Sequence, residues 1–145
     1  MIQSVGVILV KQDGSVLAQH RDNKPNILSP NTWAVVGGGR KVGADSDLVA
    51  AGIRELYEET GYKADRKDLN FLARDTYSIS PDLQVERIIL WARYDDVQKI
   101  DCNEGREIRF IDPNEFAELN FSAGSESFLK KASEKAFYSG GEFKK

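Results

Sequence analysis

The stretch RELYEETGY, from Arg54 to Tyr62, places three glutamates within five positions. On an α-helix, residues three and four positions apart share a face, so Glu55, Glu58 and Glu59 are predicted to lie within one sector about 100° wide. Like charges at this spacing cost little on a solvated face but much more near a protein interior. A bound divalent cation removes that repulsion, and carboxylate oxygens suit Mg²⁺ or Mn²⁺. The stretch therefore predicts a metal site, with a solvated helix face as the alternative.

An apolar stripe borders the glutamates on the same predicted helix. Val49, Ile53 and Leu56 follow the spacing of a core-facing surface. Ala51 and Gly52 fall on the acidic side one turn earlier, where small side chains would let another backbone come close. Glycine inside a helix otherwise costs about 1 kcal/mol relative to alanine. We therefore expect the helix to pack its apolar stripe into the core, with the carboxylates along the border.

Capping residues set the predicted ends of this helix. Asp47 can cap the N-terminus, and Gly61 after Thr60 suits the left-handed turn that ends a helix. Upstream, Gly37–Gly39 follows a short strand and lets the backbone take unusual angles. A carbonyl of this glycine run could then face the same metal.

Strand patterns on both sides of the helix predict the rest of the fold. Apolar and β-branched residues indicate strands at Ser4–Val10, Ser15–Arg21, Trp33–Val36, Asn70–Ile79, Val85–Tyr94 and Glu107–Ile111. Arg21–Thr32 is typical of a loop, and further helices are predicted at Pro113–Leu119 and Ser125–Tyr138. Because strands outnumber helices without a regular βαβ alternation, the sequence predicts a mixed α/β domain.

Composition limits the possible function classes. The chain has 145 residues, which suits one domain over 1–145, and its formal net charge of −3 gives no general attraction to DNA or to an anionic membrane. There is no apolar run long enough for a transmembrane helix and no basic segment before the first apolar run, so neither an anchor nor a signal peptide is expected. Cys102 is the only cysteine, so an internal disulfide is excluded. A cytoplasmic protein is expected.

The segment GGGRKVGADSDLVAAGIRELYEETGY, from Gly37 to Tyr62, resembles the Nudix box of the Nudix hydrolases, G-x5-E-x7-R-E-U-x-E-E-x-G-U, in which U is a bulky apolar residue. The second half of the box is matched throughout, by Arg54, Glu55, Leu56, Glu58, Glu59, Gly61 and Tyr62. The approach to the box, RDNKPNILSPNTWAVVGG, is also similar to that of MutT-like members. The resemblance implies a single Nudix-type α/β/α sandwich with a mixed β-sheet.

The first half of the box departs from the family pattern. Gly38 and Gly39 lie 16 and 15 positions before Arg54, where the family has its glycine 14 before. The loop is therefore one or two residues longer. Ser46 stands where the family has its first glutamate, and Asp45 is the neighbouring carboxylate.

The resemblance implies a Mg²⁺- or Mn²⁺-dependent hydrolysis of a nucleoside diphosphate linked to some group X. The three glutamates of the helix, Glu55, Glu58 and Glu59, would be the metal ligands. Arg54 would pair with a neighbouring carboxylate and orient it. The general base would be one of these glutamates, or Glu104 or Glu107 on a later loop.

Substrate contacts are less specific in the sequence. Arg21 and Lys24 would meet phosphate or base, and Trp33 would stack on a nucleobase unless it belongs to the core. Gly38 and Gly39 would lie beside the substrate. Tyr77 and Phe121 have the same two interpretations: each would either stack on a nucleobase or belong to the core.

Several substrate classes remain open. Nucleoside triphosphates, as in MutT-like members, come first because the chain is close to a minimal domain. Nucleoside diphosphate sugars or ADP-ribose come second, and capped RNA ends third. The other class is a Nudix module that binds a nucleotide without cleaving it, although such a module would be expected to lose box carboxylates. The expected partner is a small-molecule nucleotide, with no membrane or DNA, and the protein is expected to be a monomer or homodimer.

Overall fold

The computed structural model describes residues 2–27, 29–41 and 43–140. The strands are β1 (Ile2–Val10), β2 (Val16–His20), β3 (Trp33–Ala34), β4 (Val36–Gly39), β5 (Asn70–Ser80), β6 (Leu83–Arg93) and β7 (Glu107–Ile111). The α-helices are α1 (Leu48–Thr60) and α2 (Ser125–Gly140), and 3-10 helices cover Arg66–Asp68 and Pro113–Glu118. Neither α-helix within these ranges is long and apolar enough to cross a membrane.

The sheet has seven strands and is mixed, with β1 at its centre. β1 runs parallel to β6 over its whole length and antiparallel to β4 from Ser4 to Val7. Its pairing with β2 is confined to Val10 and Val16, beside the hairpin turn. β2 continues away from β1 to pair with β3 and β7. β1 and β2 therefore separate beyond the hairpin turn, and β4 pairs with the part of β1 that β2 leaves unpaired.

Side chains alternate along β1 between two cores. Val5, Val7 and Leu9 pack in the core beneath α1, whereas Ile8 and Val10 pack in the core beneath α2. The buried apolar side chains that the structure describes in α2 are Leu129, Ala132 and Ala136. Because each face of the sheet is covered by one helix, the fold is the predicted α/β/α sandwich with a mixed sheet.

The ends of α1 follow its capping residues. The Asp47 carboxylate accepts a hydrogen bond from the Ala50 N–H, which satisfies one of the free donors at the helix start. Gly61 takes a left-handed conformation with φ of 78°, and its N–H donates to the Tyr57 carbonyl. Both predicted caps are confirmed.

The buried face of α1 is rotated relative to the prediction. Its buried residues are Ala51, Gly52, Leu56, Glu59 and Thr60, whereas Val49 and Ile53 are only half buried. A Cβ on Gly52 would lie 3.1 Å from Val7 and 3.2 Å from Val5. The small residues thus let the helix approach β1 closely, so the side that carries Glu59 turns inward and the apolar stripe turns partly outward.

The glycine run is a strand rather than a turn with unusual backbone angles. Gly37–Gly39 are the last three residues of β4, and none of them has a positive φ. Glycine is required there by space. A Cβ at Gly37 would lie 2.0 Å from the Val5 carbonyl oxygen, and one at Gly38 would lie 2.4 Å from the Glu55 carboxylate.

Candidate active site

Arg54 forms hydrogen bonds with three of the acidic side chains of the site, those of Asp45, Glu55 and Glu58. Its Nε and Nη2 donate to the two carboxylate oxygens of Asp45, each at 2.9 Å. Nη1 donates to Glu55 at 3.2 Å and to Glu58 at 3.1 Å, and Nη2 also donates to the Gly39 carbonyl at 2.9 Å. All five N–H groups of the guanidinium are therefore used within the protein. This geometry makes Arg54 a scaffold for the surrounding carboxylates.

The longer loop before α1 brings Asp45 to the position where Arg54 needs a carboxylate. The Asp45 side chain is buried and also accepts a hydrogen bond of 2.7 Å from the Lys41 N–H. The bonds from Arg54 and from Lys41 lower the pKa of Asp45 to about 2. Arg40 donates to the carbonyls of Asp45 and Ser46, which folds the loop back on itself. The Ser46 side chain stays exposed.

Glu55 lies against the glycine strand. Its side chain is 14% exposed, and Gly38 leaves room for its carboxylate. Burial raises the pKa of Glu55, although the charge and hydrogen bond of Arg54 oppose that shift.

Glu59 is the most deeply buried of the three box glutamates, at 4% exposure. One carboxylate oxygen, Oε1, accepts a hydrogen bond of 3.2 Å from the Gln19 side chain. The other oxygen, Oε2, is buried and has no hydrogen-bond partner among the described residues. Burial raises the pKa of Glu59 to about 8, and the negative charges of Glu104 and Glu55 act in the same direction. A buried carboxylate oxygen of this kind suits a cation.

Glu104 and Glu107, the two candidates for the general base outside α1, have different surroundings. Glu104 lies on the loop before β7, close enough for its charge to affect Glu59, and its carbonyl accepts a 2.8 Å hydrogen bond from Gln19. Glu107 is the first residue of β7, and its carboxylate lies 3.5 Å from the Arg109 guanidinium. The loop thus brings Glu104 close to the carboxylate cluster of Glu55, Glu58 and Glu59, whereas Glu107 forms an ion pair with Arg109.

Gln19 is a site residue that the sequence reasoning missed. It bonds both Glu59 and the backbone of Glu104, and it is 5% exposed. A signal was available, because Gln19 is a polar residue that directly follows the apolar strand residues Val16–Ala18. Its partners lie 40 and 85 residues away in sequence, so the strand pattern alone could not identify them.

The predicted metal ligands do not converge into a ready-made site. Within the described ranges, no three or more His, Cys, Asp or Glu side chains are arranged to hold a metal ion. Glu55 and Glu58 both turn to Arg54, and Glu58 is 48% exposed. The residues nevertheless fit a hard divalent cation, because their donors are carboxylate oxygens and one oxygen of Glu59 is buried without a partner.

A cavity of about 520 Å³ lies across the glycine strand from this cluster. Gly37 and Gly38 line it, and the Cβ side of Gly38 faces Glu55, so the glycine strand separates the cavity from the cluster. The other lining residues include Arg21, Tyr77, Asp75, Arg87, Ser122 and Ser125. The volume is within the usual range for a small-molecule site.

Four residues that were considered as substrate contacts do not line this cavity: Lys24, Trp33, Gly39 and Phe121. Trp33 is 6% exposed, with His20 stacked on its ring at 4.7 Å and Arg109 over the ring at 5.1 Å. It belongs to the core beneath α2, which leaves no room for a stacked nucleobase. Lys24 is exposed beside Asp22, and it does not line the cavity. Phe121 packs edge-on against Phe116.

A family model described as the NUDIX domain matches residues 2–132. The chain belongs to the Nudix family. The domain is therefore that of hydrolases that act on pyrophosphate bonds, and Nudix hydrolases generally use divalent metal ions.

Known Nudix proteins match this chain in two ways. It is 46% identical over 57 residues to the m7GpppN-mRNA hydrolase NUDT17 of Bos taurus, a stretch that covers 39% of this chain and only 18% of that protein. The NUDIX domain of Shewanella oneidensis NrtR, solved in complex with ADP ribose, has a TM-score of 0.76 at 15% identity and covers 94% of this chain and 88% of that one. The MutT protein from Methanosarcina mazei Go1 has a TM-score of 0.70 at 18% identity, with 93% and 94% covered. These two solved structures have the same fold as this chain.

Proposed function

We propose that this chain is a Mg²⁺- or Mn²⁺-dependent Nudix pyrophosphohydrolase. Its substrate is a nucleoside diphosphate linked to a group X, with nucleoside triphosphates as the first candidates. The observation that carries the proposal is the buried Glu59 carboxylate, which has an unpartnered oxygen next to Glu55 and close to Glu104. A cluster of carboxylates is costly to keep in a protein interior unless it binds a cation.

Each acidic residue has a defined role in this proposal. Glu55, Glu58 and Glu59 would hold the cation, and Arg54 would orient Glu55 and Glu58. A bound divalent cation lowers the pKa of water and neutralises the charge that develops on phosphate oxygens. Glu104 would accept the proton of the attacking water. The water oxygen joins phosphorus as the anhydride P–O bond breaks, and the products are a nucleoside monophosphate and phosphorylated X.

The cavity beside Gly37 and Gly38 would hold the nucleoside or X. It brings a guanidinium, an aromatic ring and serine hydroxyls together at a volume of about 520 Å³. Arg21 reaches this lining and would contact a phosphate or a base edge. ADP-ribose and nucleoside diphosphate sugars remain the second candidates, because they offer the same diphosphate with a sugar at the far end. Cytoplasmic location and a monomeric or dimeric state stay predictions from the sequence.

A methylated cap, the substrate named for the bovine relative, fits this cavity poorly. The Arg87 guanidinium lies over the Tyr77 ring at 4.9 Å. A cationic methylguanine that stacked on Tyr77 would have to compete with that guanidinium and would be repelled by it. We therefore rank capped RNA last.

The first experiment measures hydrolysis of nucleoside triphosphates, ADP-ribose, UDP-glucose and a cap analogue, with and without Mg²⁺, and identifies the products. We expect cation-dependent release of a nucleoside monophosphate. Glu59→Gln should reduce turnover by orders of magnitude, while Glu118→Gln, an exposed glutamate outside the site, should match the wild type. Tight nucleotide binding with no hydrolysis of any substrate would favour the non-catalytic module instead.

A second experiment separates the two candidate bases. Glu104→Gln should lower kcat by about 10²–10⁴-fold with a smaller change in KM, since proton transfer contributes about that much. Glu107→Gln is the matched control, because it removes the same charge from the same segment but from a residue paired with Arg109. Equal losses in both variants, or no loss in either, would contradict the assignment of Glu104.

A further inference from the structure

We propose that Gln19 is a positioning residue that fixes the separation between the Glu59 carboxylate and the loop that carries Glu104. The inference rests on the proposed function, because it concerns the same carboxylate site. It adds a residue from β2, outside the Nudix box, to the residues on which that site depends.

The amide of Gln19 makes two bonds from one nitrogen. Its Nε2 donates to Glu59 Oε1 at 3.2 Å and to the Glu104 carbonyl at 2.8 Å. The nitrogen carries two hydrogens, so each bond has its own donor. The opposite orientation of the amide would place its oxygen against the Glu104 carbonyl oxygen, which can only accept. The hydrogen bonds therefore fix both the side chain and its orientation.

The loop packs directly on this side chain. Gly105 has φ of 84°, and a Cβ there would lie 2.8 Å from the His20 carbonyl and 3.1 Å from Cγ and Nε2 of Gln19. The Arg106 N–H donates to the same His20 carbonyl at 2.8 Å. A movement of Gln19 would thus displace the loop.

The loop is also attached to the end of α1. The Asn103 N–H donates to the Glu59 carbonyl at 2.9 Å, and its side-chain amide donates to the Glu58 carbonyl at 3.0 Å. These bonds hold the backbone of the loop to the helix, but they do not touch a carboxylate. Among the residues that the structure describes, Gln19 joins the loop to the Glu59 side chain itself.

Removal of the amide should therefore act on both groups. Residues that orient metal-binding carboxylates change metal affinity by about 10–100-fold when they are replaced. Gln19→Met keeps the length of the side chain and removes both donors. We expect it to weaken Mn²⁺ binding by at least about tenfold and to lower kcat more than it raises KM.

The test uses the full chain and a matched control. Gln98 donates in the same way to a carboxylate, Asp95 at 2.8 Å, and to a carbonyl, Lys63 at 3.0 Å, but outside the carboxylate cluster. Gln19→Met and Gln98→Met are compared with the wild type by electron paramagnetic resonance titration of Mn²⁺, by kcat and KM, and by hydrogen exchange of the amides of residues 103–106. Gln19→Asn, which is too short to reach both acceptors, replaces Gln19→Met if that variant does not fold.

Weaker Mn²⁺ binding, lower kcat and faster loop exchange in the Gln19 variant alone would support the inference. If the wild type hydrolyses nucleotides and the Gln19 variant matches it in Mn²⁺ affinity and exchange, the inference is wrong while the proposed function stands. If the wild type neither binds Mn²⁺ nor hydrolyses any nucleotide, the proposed function fails. In that case, hydrogen exchange of the amides of residues 103–106 is the remaining test of the inference. Faster exchange in the variant supports the positioning role, and unchanged exchange overturns it.

Discussion

Arg54 and Arg87 each hold one aspartate with the same pair of bonds, yet they differ in the rest of their surroundings. Arg54 binds Asp45 through Nε and Nη2, and Arg87 binds Asp75 through the same two atoms at 2.9 and 2.7 Å. The remaining donors of Arg54 bond Glu55, Glu58 and a carbonyl.

Arg87 instead lies over two aromatic rings, Tyr77 at 4.9 Å and Phe128 at 4.8 Å, and lines the cavity. Its Nη1 makes no hydrogen bond to any residue that the structure describes. The same ion pair therefore serves two purposes. At Arg54 it completes an internal scaffold, whereas at Arg87 it holds a guanidinium that still has donors for a ligand.

Among the variants that test this contrast between the two arginines, the largest effect should come from Arg54→Lys. Lysine keeps the charge but has no planar fork, so it cannot serve Asp45 and two glutamates at once. We expect turnover to fall by about 10–100-fold, as for other residues that orient metal-binding carboxylates, together with a lower melting temperature. Arg66→Lys is the control, because Arg66 pairs with Asp47 at the exposed surface. A turnover equal to that of the wild type would show that Arg54 is no scaffold.

The pH dependence of stability should be the next largest effect. The pKa of Glu59 is raised from its usual 4.5 to about 8, chiefly by burial, so between these values the folded protein keeps a proton that the unfolded chain has released. The metal-free protein should therefore lose stability as pH rises from about 5 to about 8, by roughly 2–4 kcal/mol.

Glu59→Gln is neutral at every pH and should remove most of that slope. Urea unfolding of the metal-free wild type and of the variant, at several pH values, checks this. The Asp45 carboxyl does not interfere, because its pKa is lowered to about 2 and its contribution is lost only as pH falls below about 4. Parallel stability curves for the two proteins would contradict the assigned burial of Glu59.

A smaller effect is expected on the cavity side, at Arg87→Lys. If Arg87 contacts the substrate, the variant should raise KM by about tenfold, the equivalent of about 1.4 kcal/mol, and leave kcat within a few-fold of the wild type. Arg74→Lys is the matched control from the same hairpin, since the exposed Arg74 side chain pairs with Glu86 at 2.7 Å and does not line the cavity. If Arg87→Lys lowers kcat and leaves KM unchanged, the contrast between the two arginines is wrong.

The two arginines also show what the sequence could predict. Arg54, its glutamates and the caps of α1 lie within one short segment, and helical spacing with capping chemistry sets their arrangement. The strands could be predicted equally well, because the alternation of buried and exposed residues along a strand is a local pattern. The mixed α/β class followed from the order of these elements, and the α/β/α sandwich with a mixed sheet followed from the resemblance to the family.

The rest of the site depends on sheet register, which no local pattern contains. Asp75 meets Arg87 because β5 and β6 pair at that position, and Gln19 meets Glu104 through the loop before β7. The inward rotation of α1 depends on how closely Gly52 lets it approach β1. Trp33 had two readings in the sequence, and only the packing against His20 decided for the core.

The smallest effect is expected at Ser46, where the box lacks its first glutamate. Asp45 already provides the carboxylate that Arg54 requires, and all five donors of Arg54 are occupied. Ser46→Glu would add a charge on an exposed side chain, where an ion pair contributes little, so turnover should stay within about twofold of the wild type, as for the control Ser46→Ala. Asp45→Asn, one residue away, should lose activity because it weakens the fork to Arg54. A large gain from Ser46→Glu would mean that Arg54 prefers a carboxylate at position 46, and Asp45 on the longer loop would then not be the partner that the site requires.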